Sequence, residues 1–262
     1  MNLELLTKQV TNLTRAVGTY LKNEIKNIQK EKIINKGHND FVTYVDKNSE
    51  RRLVAELTKL LPEAGFIAEE NNTYKRAKNY NWVIDPLDGT TNYIHGLPVY
   101  AISVALIHRD EVVSGVVFEI NQQECFYAWK KGGAYLNNHK ISCTDTENLS
   151  ESFFATGFPY SDFSRIDGYL EVFKELMKST HGVRRLGSAA TDLAYLACGR
   201  FDGFFEYGLH PWDVAAGELI VREAGGIVSD FKGGNNYLFG KEIIAANSYI
   251  YKGFLELMEK HF

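Results

Sequence analysis

Two aspartates flank a proline in the stretch Trp82–Asn92, W-V-I-D-P-L-D-G-T-T-N. The apolar run before Asp85 is typical of a buried strand, and Pro86 has no backbone N–H with which to continue a β-ladder. We therefore expect the strand to end at Asp85, with Asp88 beyond a turn. Gly89 lets a ligand approach the backbone closely, and the two threonines after it can cap a short helix. This stretch could hold hard cations beside a phosphate group, although Asp, Pro and Gly are also ordinary turn residues.

Acidic residues also stand next to three other predicted elements. Glu69 directly follows the apolar segment Gly65–Ala68, Asp46 precedes a helical pattern, and Asp213 opens a helix predicted over residues 212–224. Each has an ordinary structural explanation, because surface loops are often acidic, Asp46 could be an N-cap, and Asp213 could be a first-turn acid favoured by the helix dipole. Both kinds of explanation stay open at each position.

These acids would repel one another if the fold brought them together. Two unit charges about 4 Å apart repel by roughly 4 kcal/mol at an effective dielectric near 20. A cluster of Glu69, Asp85, Asp88 and Asp213 is therefore reasonable only with cations, and carboxylate oxygens suit Mg²⁺. A helix also opens at Gly187–Ala190, where its N-terminus could bind phosphate or sugar hydroxyls, or could be a simple small-residue start. The sequence contains no EF-hand, H-E-x-x-H, P-loop or G-x-S-x-G motif.

The remaining pattern predicts two lobes. Met1 to about Gln29 has the apolar periodicity of an amphipathic helix, and the β-branched segments between residues 99 and 129 predict an antiparallel meander. From about Glu151 onward, strands and helices alternate, which is typical of an α/β layer. We expect a single domain over residues 1–262, with an α+β lobe at about 1–145 and an α/β lobe at about 146–262.

The composition points away from nucleic acid, membrane and secretion. With 29 Lys and Arg against 33 Asp and Glu, the net charge is -4, which gives no broad basic surface for nucleic acid. The three cysteines have no metal-ligand spacing and are expected to be reduced. The N-terminus lacks the uninterrupted apolar segment of a secretory signal, and the longest apolar run, residues 99–107, is too short to span a bilayer. We therefore expect a soluble, cytoplasmic protein.

With these motifs the chain resembles the inositol monophosphatase family of Mg²⁺-dependent, lithium-sensitive phosphatases. The family signature W-x-[IV]-D-P-[IL]-D-G-T-x-N is complete at Trp82–Asn92, and W-D-x-A-A-G is complete at Trp212–Gly217. One departure is Ala68, where the family usually has Gly before two Glu. Shorter matches occur in the same order at Val42–Asp46, Ile67–Glu70 and Gly157–Tyr160.

The resemblance implies a set of metal ligands. Glu69 and Asp85, with the Leu87 carbonyl, would hold a first Mg²⁺, and Asp85, Asp88 and Asp213 would hold a second. A third, weaker ion would bind at Glu69. The cofactor implied is therefore Mg²⁺, with two or three ions per site.

The resemblance also implies catalytic and substrate-binding roles. Thr90, with Glu69, would orient or deprotonate the attacking water, and Asp46 would orient the Thr90 hydroxyl. The backbone N–H groups of Gly89 and Thr90 would bind the phosphate. The positions that match contacts to sugar hydroxyls are Ala189, Glu206 and Asp213.

The family fold is a layered α/β/α/β/α sandwich, commonly dimeric, so the resemblance implies a homodimer. The implied activity is Mg²⁺-dependent release of phosphate from a small phosphorylated metabolite, with inositol monophosphate as the favoured substrate. A carboxylate at Glu206 favours a polyhydroxyl leaving group.

Other substrates would use the same metal site: the 2′-phosphate of NADP(H), fructose 1,6-bisphosphate and adenosine bisphosphate. Arg184, Arg185 and Lys36 could reach a second phosphate, or Arg184 and Arg185 could form a solvated strand end. A hypothesis of a different class is a non-catalytic or moonlighting regulatory binding protein. The complete set of acids argues against a protein that has lost catalysis.

Overall fold

The computed structural model describes residues 1–25, 34–37, 40–42, 44–71, 73–160 and 162–262, with the backbone alone for 34–37 and 40–42. Its helices are α1 Leu3–Glu24, α2 Tyr44–Leu60, α3 Thr90–His95, α4 Ile166–Ser179, α5 Ala189–Ala197, α6 Pro211–Glu223 and α7 Tyr251–His261. Its strands are β1 Ile34–Gly37, β2 Asp40–Val42, β3 Gly65–Ala68, β4 Tyr80–Asp88, β5 Ala101–His108, β6 Glu111–Glu119, β7 Glu124–Trp129, β8 Gly133–Leu136, β9 His139–Ile141, β10 Phe153–Thr156, β11 Gly182–Arg184, β12 Gly203–Tyr207, β13 Ile227–Ser229 and β14 Glu242–Ala246.

Two large sheets carry the fold. The first has seven strands in the order β3-β4-β5-β6-β7-β8-β9, with β3 and β4 parallel and every later pair antiparallel. The second has five strands in the order β11-β10-β12-β14-β13, in which β10 runs parallel to both of its neighbours. The central strands of the first sheet are apolar on both faces, because helices cover both faces.

The helices alternate with the sheets in layers. Leu6 and Val10 of α1 and Leu53 of α2 pack with Trp82 and Phe118 on one face of the seven-stranded sheet. Helices α5 and α6 fill the space between the two sheets. On the outer face of the five-stranded sheet, α4 and α7 bury a cluster rich in aromatic residues. The result is the layered α/β/α/β/α sandwich that the resemblance implied.

Small residues let α6 pass closely between neighbouring elements. A Cβ placed on Gly115 of β6 would lie 2.8 Å from the Ala216 carbonyl oxygen, and one placed on Gly217 would lie 2.6 Å from Cβ of Leu193 in α5. The glycine of the second motif, Gly217, is therefore a packing requirement. It fixes the position of α6, whose first turn carries Asp213.

Most of the predicted elements are present. The meander is confirmed as β5, β6 and β7, and the alternation of strands and helices after Glu151 is confirmed by β10 to α7. Helix α1 ends at Glu24, and the predicted extension to Gln29 falls outside the described residues. Within the described ranges, the helices lack the combination of length and apolar character that crossing a membrane requires.

The prediction that the strand ends at Asp85 is wrong. Strand β4 continues to Asp88, which pairs with Ala101 after an irregularity in the register that begins at Asp85. Pro86 interrupts the ladder because it has no N–H, yet the neighbouring strand β5 restores the pairing two residues later. Both aspartates therefore belong to one strand, on either side of a distortion.

Two predicted helix caps also differ. Gly89, with φ 88°, is the N-cap of α3, and Thr90 begins the helix. A left-handed backbone at this position favours glycine over threonine. Asp46 lies in the first turn of α2, which starts at Tyr44, so it is not an N-cap residue.

Candidate active site

Three carboxylates from β4 and α6 meet at one point. The side chains of Asp85, Asp88 and Asp213 place carboxylate oxygens within 4.8 Å of one another. Asp85 is buried, whereas Asp88 and Asp213 are half-buried, so the cluster lies at an accessible end of β4. An all-oxygen donor set with this spacing fits a hard divalent cation such as Mg²⁺.

Strand β5 connects the two elements that carry the cluster. Ser103 stands opposite Asp85 in the β4–β5 pair, and its hydroxyl donates to the Trp212 carbonyl oxygen at 3.0 Å. Asp213 lies in the first turn of α6 after Pro211, and it accepts the His210 N–H at 2.6 Å. The carboxylate that caps α6 therefore also belongs to the acidic cluster, so the structural role of Asp213 does not conflict with the predicted metal-binding role.

Helix α5 contacts the cluster through Asp88. The Ser188 hydroxyl and the Ala190 N–H both donate to Asp88 Oδ2, each at 2.7 Å. Ser188 is also the N-cap of α5 and accepts the Thr191 N–H at 3.2 Å. The helix N-terminus predicted to face phosphate or sugar hydroxyls thus faces a carboxylate of the cluster, which its dipole stabilises.

The carboxyl groups of the cluster have raised pKa values, because they are buried close to other negative charges. Burial, followed by the charges of Glu69, Asp88 and Asp213, raises the pKa of Asp85 well above its ordinary value. Burial and the Asp88 charge likewise raise the pKa of Asp213. Burial also raises the pKa of Asp88, to about 6, against hydrogen bonds from Ser188, Ala190 and Gly89 that lower it. Carboxylates with such a high affinity for protons are suited to binding metal cations instead of protons.

A threonine hydroxyl lies beside the cluster. Thr90 Oγ1 lies 3.1 Å from Asp46 Oδ1 and 2.9 Å from the Leu87 carbonyl oxygen, and Asp46 is 1% exposed. The hydroxyl has one proton, which it donates to one of these two acceptors. Its lone pairs are then available to accept a hydrogen bond from a water molecule, so the arrangement orients a water rather than donating to it.

Glu69 is the fourth acid of the predicted cluster, and among the described residues it lies outside the group of three carboxylates that meet within 4.8 Å. It follows β3, its N–H donates to the Ile84 carbonyl oxygen at 3.3 Å, and its charge is the leading electrostatic contribution to the raised pKa of Asp85. The next residue, Glu70, donates its N–H to Glu50 at 2.8 Å. Glu50 is buried in α2, so it ties the acidic segment after β3 to the same helix that carries Asp46.

A second group of charges lies on the side of the five-stranded sheet. Glu206 of β12 is buried, and burial together with the Asp88 charge raises its pKa to about 8. Asp192 of α5 is also buried, and its Oδ1 has no hydrogen-bond partner within the described residues. The positive charge of Arg185 offsets part of the rise in the pKa values of Asp88, Asp192 and Glu206, which burial causes. Ala189, the other residue matched to sugar contacts, is the first residue of α5.

The arginines proposed for a second phosphate have different environments. Arg184 is exposed and stacks on Phe153, with its guanidinium carbon 4.8 Å from the ring centroid, as expected for a solvated strand end. Arg185 is half-buried, bonds to the Tyr160 hydroxyl and lies 5.5 Å from the ring centroids of Phe158 and Tyr160. The side chain of Lys36 is outside the described residues.

Two positioning residues carried no signal in the sequence: Ser103 lies in a segment with no catalytic motif, and Glu50 lies within a charged helix. Ser188 and Asn92 lie inside segments that the sequence did single out, but nothing there indicated what their side chains bind. Asn92 ends the first motif, and its side-chain amide donates to the carbonyl oxygens of Val99 at 2.7 Å and Leu186 at 2.8 Å. A polar residue next to an acid-bearing segment is a signal only when the long-range pairing is known.

Comparison with known proteins agrees with this geometry. The model of the inositol monophosphatase family matches residues 2–261. The chain is 37% identical over 244 residues to "Inositol-1-monophosphatase" of Mesorhizobium japonicum, covering 93% of this chain and 92% of that protein. It is 44% identical over 224 residues to "Nus factor SuhB" of Escherichia coli K12, covering 85% of this chain and 84% of that protein.

The fold has close structural neighbours as well. The solved structure of inositol monophosphatase from Anabaena (Nostoc) sp. PCC 7120 superposes with a TM-score of 0.90 at 33% sequence identity. That superposition covers 100% of this chain and 98% of the other.

Proposed function

Because this chain belongs to the inositol monophosphatase family and is a phosphatase, we propose that it hydrolyses a small polyhydroxyl phosphomonoester with Mg²⁺, and that inositol monophosphate is the favoured substrate. The observation that carries the proposal is the meeting of Asp85, Asp88 and Asp213 within 4.8 Å. Phosphate monoester hydrolysis is among the slowest uncatalysed reactions, and one general acid or base supplies only about 10²- to 10⁴-fold. A cation site of this kind offers the larger contribution that is needed.

The proposed metal ligands are Glu69 and Asp85 with the Leu87 carbonyl, and Asp85, Asp88 and Asp213, for two Mg²⁺ ions; a third, weaker ion would bind at Glu69. When bound, the cations would lower the pKa of the attacking water and offset negative charge on the phosphoryl and leaving oxygens. Asp85 belongs to both sets and would be the shared ligand. Its Oδ1 accepts the Leu87 N–H at 2.9 Å, which fixes the orientation of the carboxylate.

The chain's own groups would then orient the reactants. Thr90, held by Asp46, would accept a hydrogen bond from the attacking water, with Glu69 as the partner base. The N–H groups of Gly89 and Thr90 lie at the start of α3, where they would bind phosphate oxygens. The substrate hydroxyls would be met by Glu206, Asp213 and Ala189.

Thr90→Val is expected to lower kcat by about 10²-fold or more, the contribution of one proton-transfer or orienting group. Valine has nearly the shape of threonine but no hydroxyl, so it removes the link to Asp46 with little change in volume. Thr90→Ser keeps the hydroxyl and is expected to retain most of the activity. Steady-state kinetics at saturating Mg²⁺ measure both, and a Thr90→Val enzyme with an unchanged kcat would remove Thr90 from the mechanism.

Phosphate release from a panel of substrates tests the proposed function. The panel contains inositol 1-phosphate, NADP⁺, fructose 1,6-bisphosphate and adenosine 3′,5′-bisphosphate, each with Mg²⁺ and with EDTA. We expect EDTA-sensitive release, with the highest kcat/KM for inositol 1-phosphate. A higher value for one of the other three would reassign the substrate, and release that persists in EDTA would contradict the metal site.

We also propose that the protein is a lithium-sensitive homodimer, as the family resemblance implies, and that it is cytoplasmic, as its cysteines and composition indicate. Inhibition of phosphate release by LiCl, with KCl as the ionic-strength control, tests the lithium sensitivity. Sedimentation velocity tests the dimer, and a monomer at micromolar concentration would contradict it.

A Nus factor role is the second candidate function, because a relative 44% identical over 224 residues carries that name. It corresponds to the moonlighting binding protein considered from the sequence, and it is compatible with catalysis at the carboxylate cluster. The net charge of -4 argues against a broad nucleic-acid surface and favours a protein partner for such a role.

Complementation separates the two candidates. The chain and its Asp85→Asn variant would be expressed in E. coli K12 cells that lack their own SuhB, with expression levels matched by immunoblot. If both proteins restore what the cells lose without SuhB, the result would support a binding role independent of catalysis. Reversal by the unsubstituted chain alone would assign the effect to phosphatase activity, and reversal by neither would contradict the second candidate.

A further inference from the structure

Gly157 lies directly against the carboxylate of Glu206. A Cβ placed on Gly157 would lie 2.0 Å from Cδ and Oε1 of Glu206 and 2.1 Å from Oε2. Contacts this short are impossible between non-bonded atoms, so the carboxylate occupies the space that any side chain at position 157 would need. Both residues are buried.

The sheet register explains the contact. Strands β10 and β12 are parallel, with Ala155 opposite Phe204 and Thr156 opposite Phe205. Continuing this register by one residue places Gly157 beside Glu206, on the same face of the sheet. The Glu206 side chain therefore crosses over the end of the neighbouring strand instead of standing beside another side chain.

The backbone gives no other reason for glycine at this position. Nine described glycines have φ in the left-handed region, where glycine is favoured, and Gly157 is not one of them. An alanine could adopt its backbone conformation without strain. The three atoms nearest to the added Cβ all belong to the Glu206 carboxylate, so this group is what excludes a side chain.

We propose that Gly157 is a positioning residue that sets the location of the Glu206 carboxylate, and thereby the selectivity for the hydroxyl-bearing leaving group. The inference rests on the proposed function, in which Glu206 meets the substrate hydroxyls. The carboxyl group is at the end of a flexible side chain, so a methyl group at position 157 displaces that group rather than the backbone. Gly157 consequently affects recognition of the leaving group and not the carboxylates at the metal site.

Gly157→Ala tests this with two substrates that share a phosphate and differ in hydroxyls. For inositol 1-phosphate we expect kcat/KM to fall about 10- to 100-fold, the range for a hydrogen bond to a charged group. For p-nitrophenyl phosphate, which has no alcohol hydroxyls, we expect a change of less than about threefold, since binding and chemistry at the phosphate are untouched. The matched control is Gly253→Ala at an exposed position of α7, where an added Cβ meets nothing within 4 Å and both substrates should be unaffected.

A double-mutant cycle with Glu206→Ala tests whether Gly157 acts through Glu206. If it does, Gly157→Ala should cost no more than about twofold in the Glu206→Ala background, because the group that it displaces is gone. Equal losses for both substrates, additive losses in the cycle, or failure of Gly157→Ala to fold would each overturn the inference.

A crystal structure of Gly157→Ala separates this inference from the proposed function. We expect the Glu206 carboxylate to be displaced, with β10 and β12 unchanged. A carboxylate in its original place would overturn the inference even for an active enzyme. An unsubstituted protein that releases no phosphate from inositol 1-phosphate would instead overturn the proposed function, and the crystal structure would still decide whether Gly157 positions Glu206.

Discussion

Asp85→Asn is expected to lower Mg²⁺-dependent phosphate release by about 10³-fold or more, a loss at least as large as that of one preorganised electrostatic group. Asp85 is the buried member of the cluster and the proposed shared ligand of both cations. Asparagine has the same shape and keeps an oxygen that can accept the Leu87 N–H. It replaces the other oxygen with an NH2 group and removes the negative charge, and with the charge most of the affinity for a hard cation.

The same substitution should leave the cation-free protein as stable as before, or more stable. In the folded state burial, followed by the charges of three other acids, raises the pKa of Asp85 well above its ordinary value. At neutral pH the carboxyl group must therefore either hold a proton or bear the repulsion, and a neutral amide avoids both costs. Thermal unfolding in EDTA measures this, and we expect the midpoint for Asp85→Asn to match or exceed that of the unsubstituted protein.

The control for this experiment is Asp110→Asn, at the exposed turn between β5 and β6. It makes the same chemical change at the other end of the sheet, and we expect it to affect neither activity nor the response to Mg²⁺. Normal turnover by a folded Asp85→Asn protein would remove Asp85 from the metal site. An inactive protein with a strongly lowered midpoint in EDTA would show instead that the carboxylate is needed for folding.

The parts of the site that were predictable are those with local signals. Asp85, Asp88 and Gly89 share one short motif, and Asp213 lies in another, so residue type and spacing identified them. The spatial meeting of the two motifs depends on α6 crossing β5, and the bond from Ser103 to the Trp212 carbonyl oxygen shows how that crossing is held. A serine within a strand gives no hint of this role, because its partner is more than 100 residues away.

Where local rules failed, tertiary pairing was the reason. Pro86 does interrupt the ladder, as its missing N–H requires, but β5 continues past it and recovers the pairing at Asp88. Gly157 is the converse case. In the sequence it is one residue of a short family match, and only the parallel register beside β12 shows that its missing side chain makes room for Glu206.

In the absence of divalent cations, we expect the free energy of unfolding to decrease as the pH rises. Burial raises the pKa of Asp88 from 3.8 to about 6 and that of Glu206 from 4.5 to about 8, and it raises those of Asp85 and Asp213 well above 3.8. The folded protein therefore binds more protons than the unfolded chain between about pH 4 and pH 8, and the free energy of unfolding decreases with pH wherever this holds. The protonated acids stabilise the fold fully when the pH is below their pKa in the unfolded chain. This stabilisation is lost as the pH rises through their pKa in the folded protein.

Bound Mg²⁺ should reverse this trend at the metal ligands, because a cation competes with protons for the same carboxylates. Unfolding midpoints at about pH 5, 6, 7 and 8, in EDTA and in MgCl₂, measure both effects. We expect the EDTA curve to fall with pH, and the gap between the two curves to widen.

In Asp85→Asn the EDTA curve should be flatter and the gap between the EDTA and MgCl₂ curves smaller, since the substitution removes a residue that is both a titrating acid and a cation ligand. Glu206, Asp192 and Glu218 are not proposed ligands, and burial raises the pKa of each, so a decline that remains in MgCl₂ is expected from their deprotonation. Parallel curves at every pH would mean that Mg²⁺ does not bind at these acids, and would contradict the proposed site independently of any activity measurement.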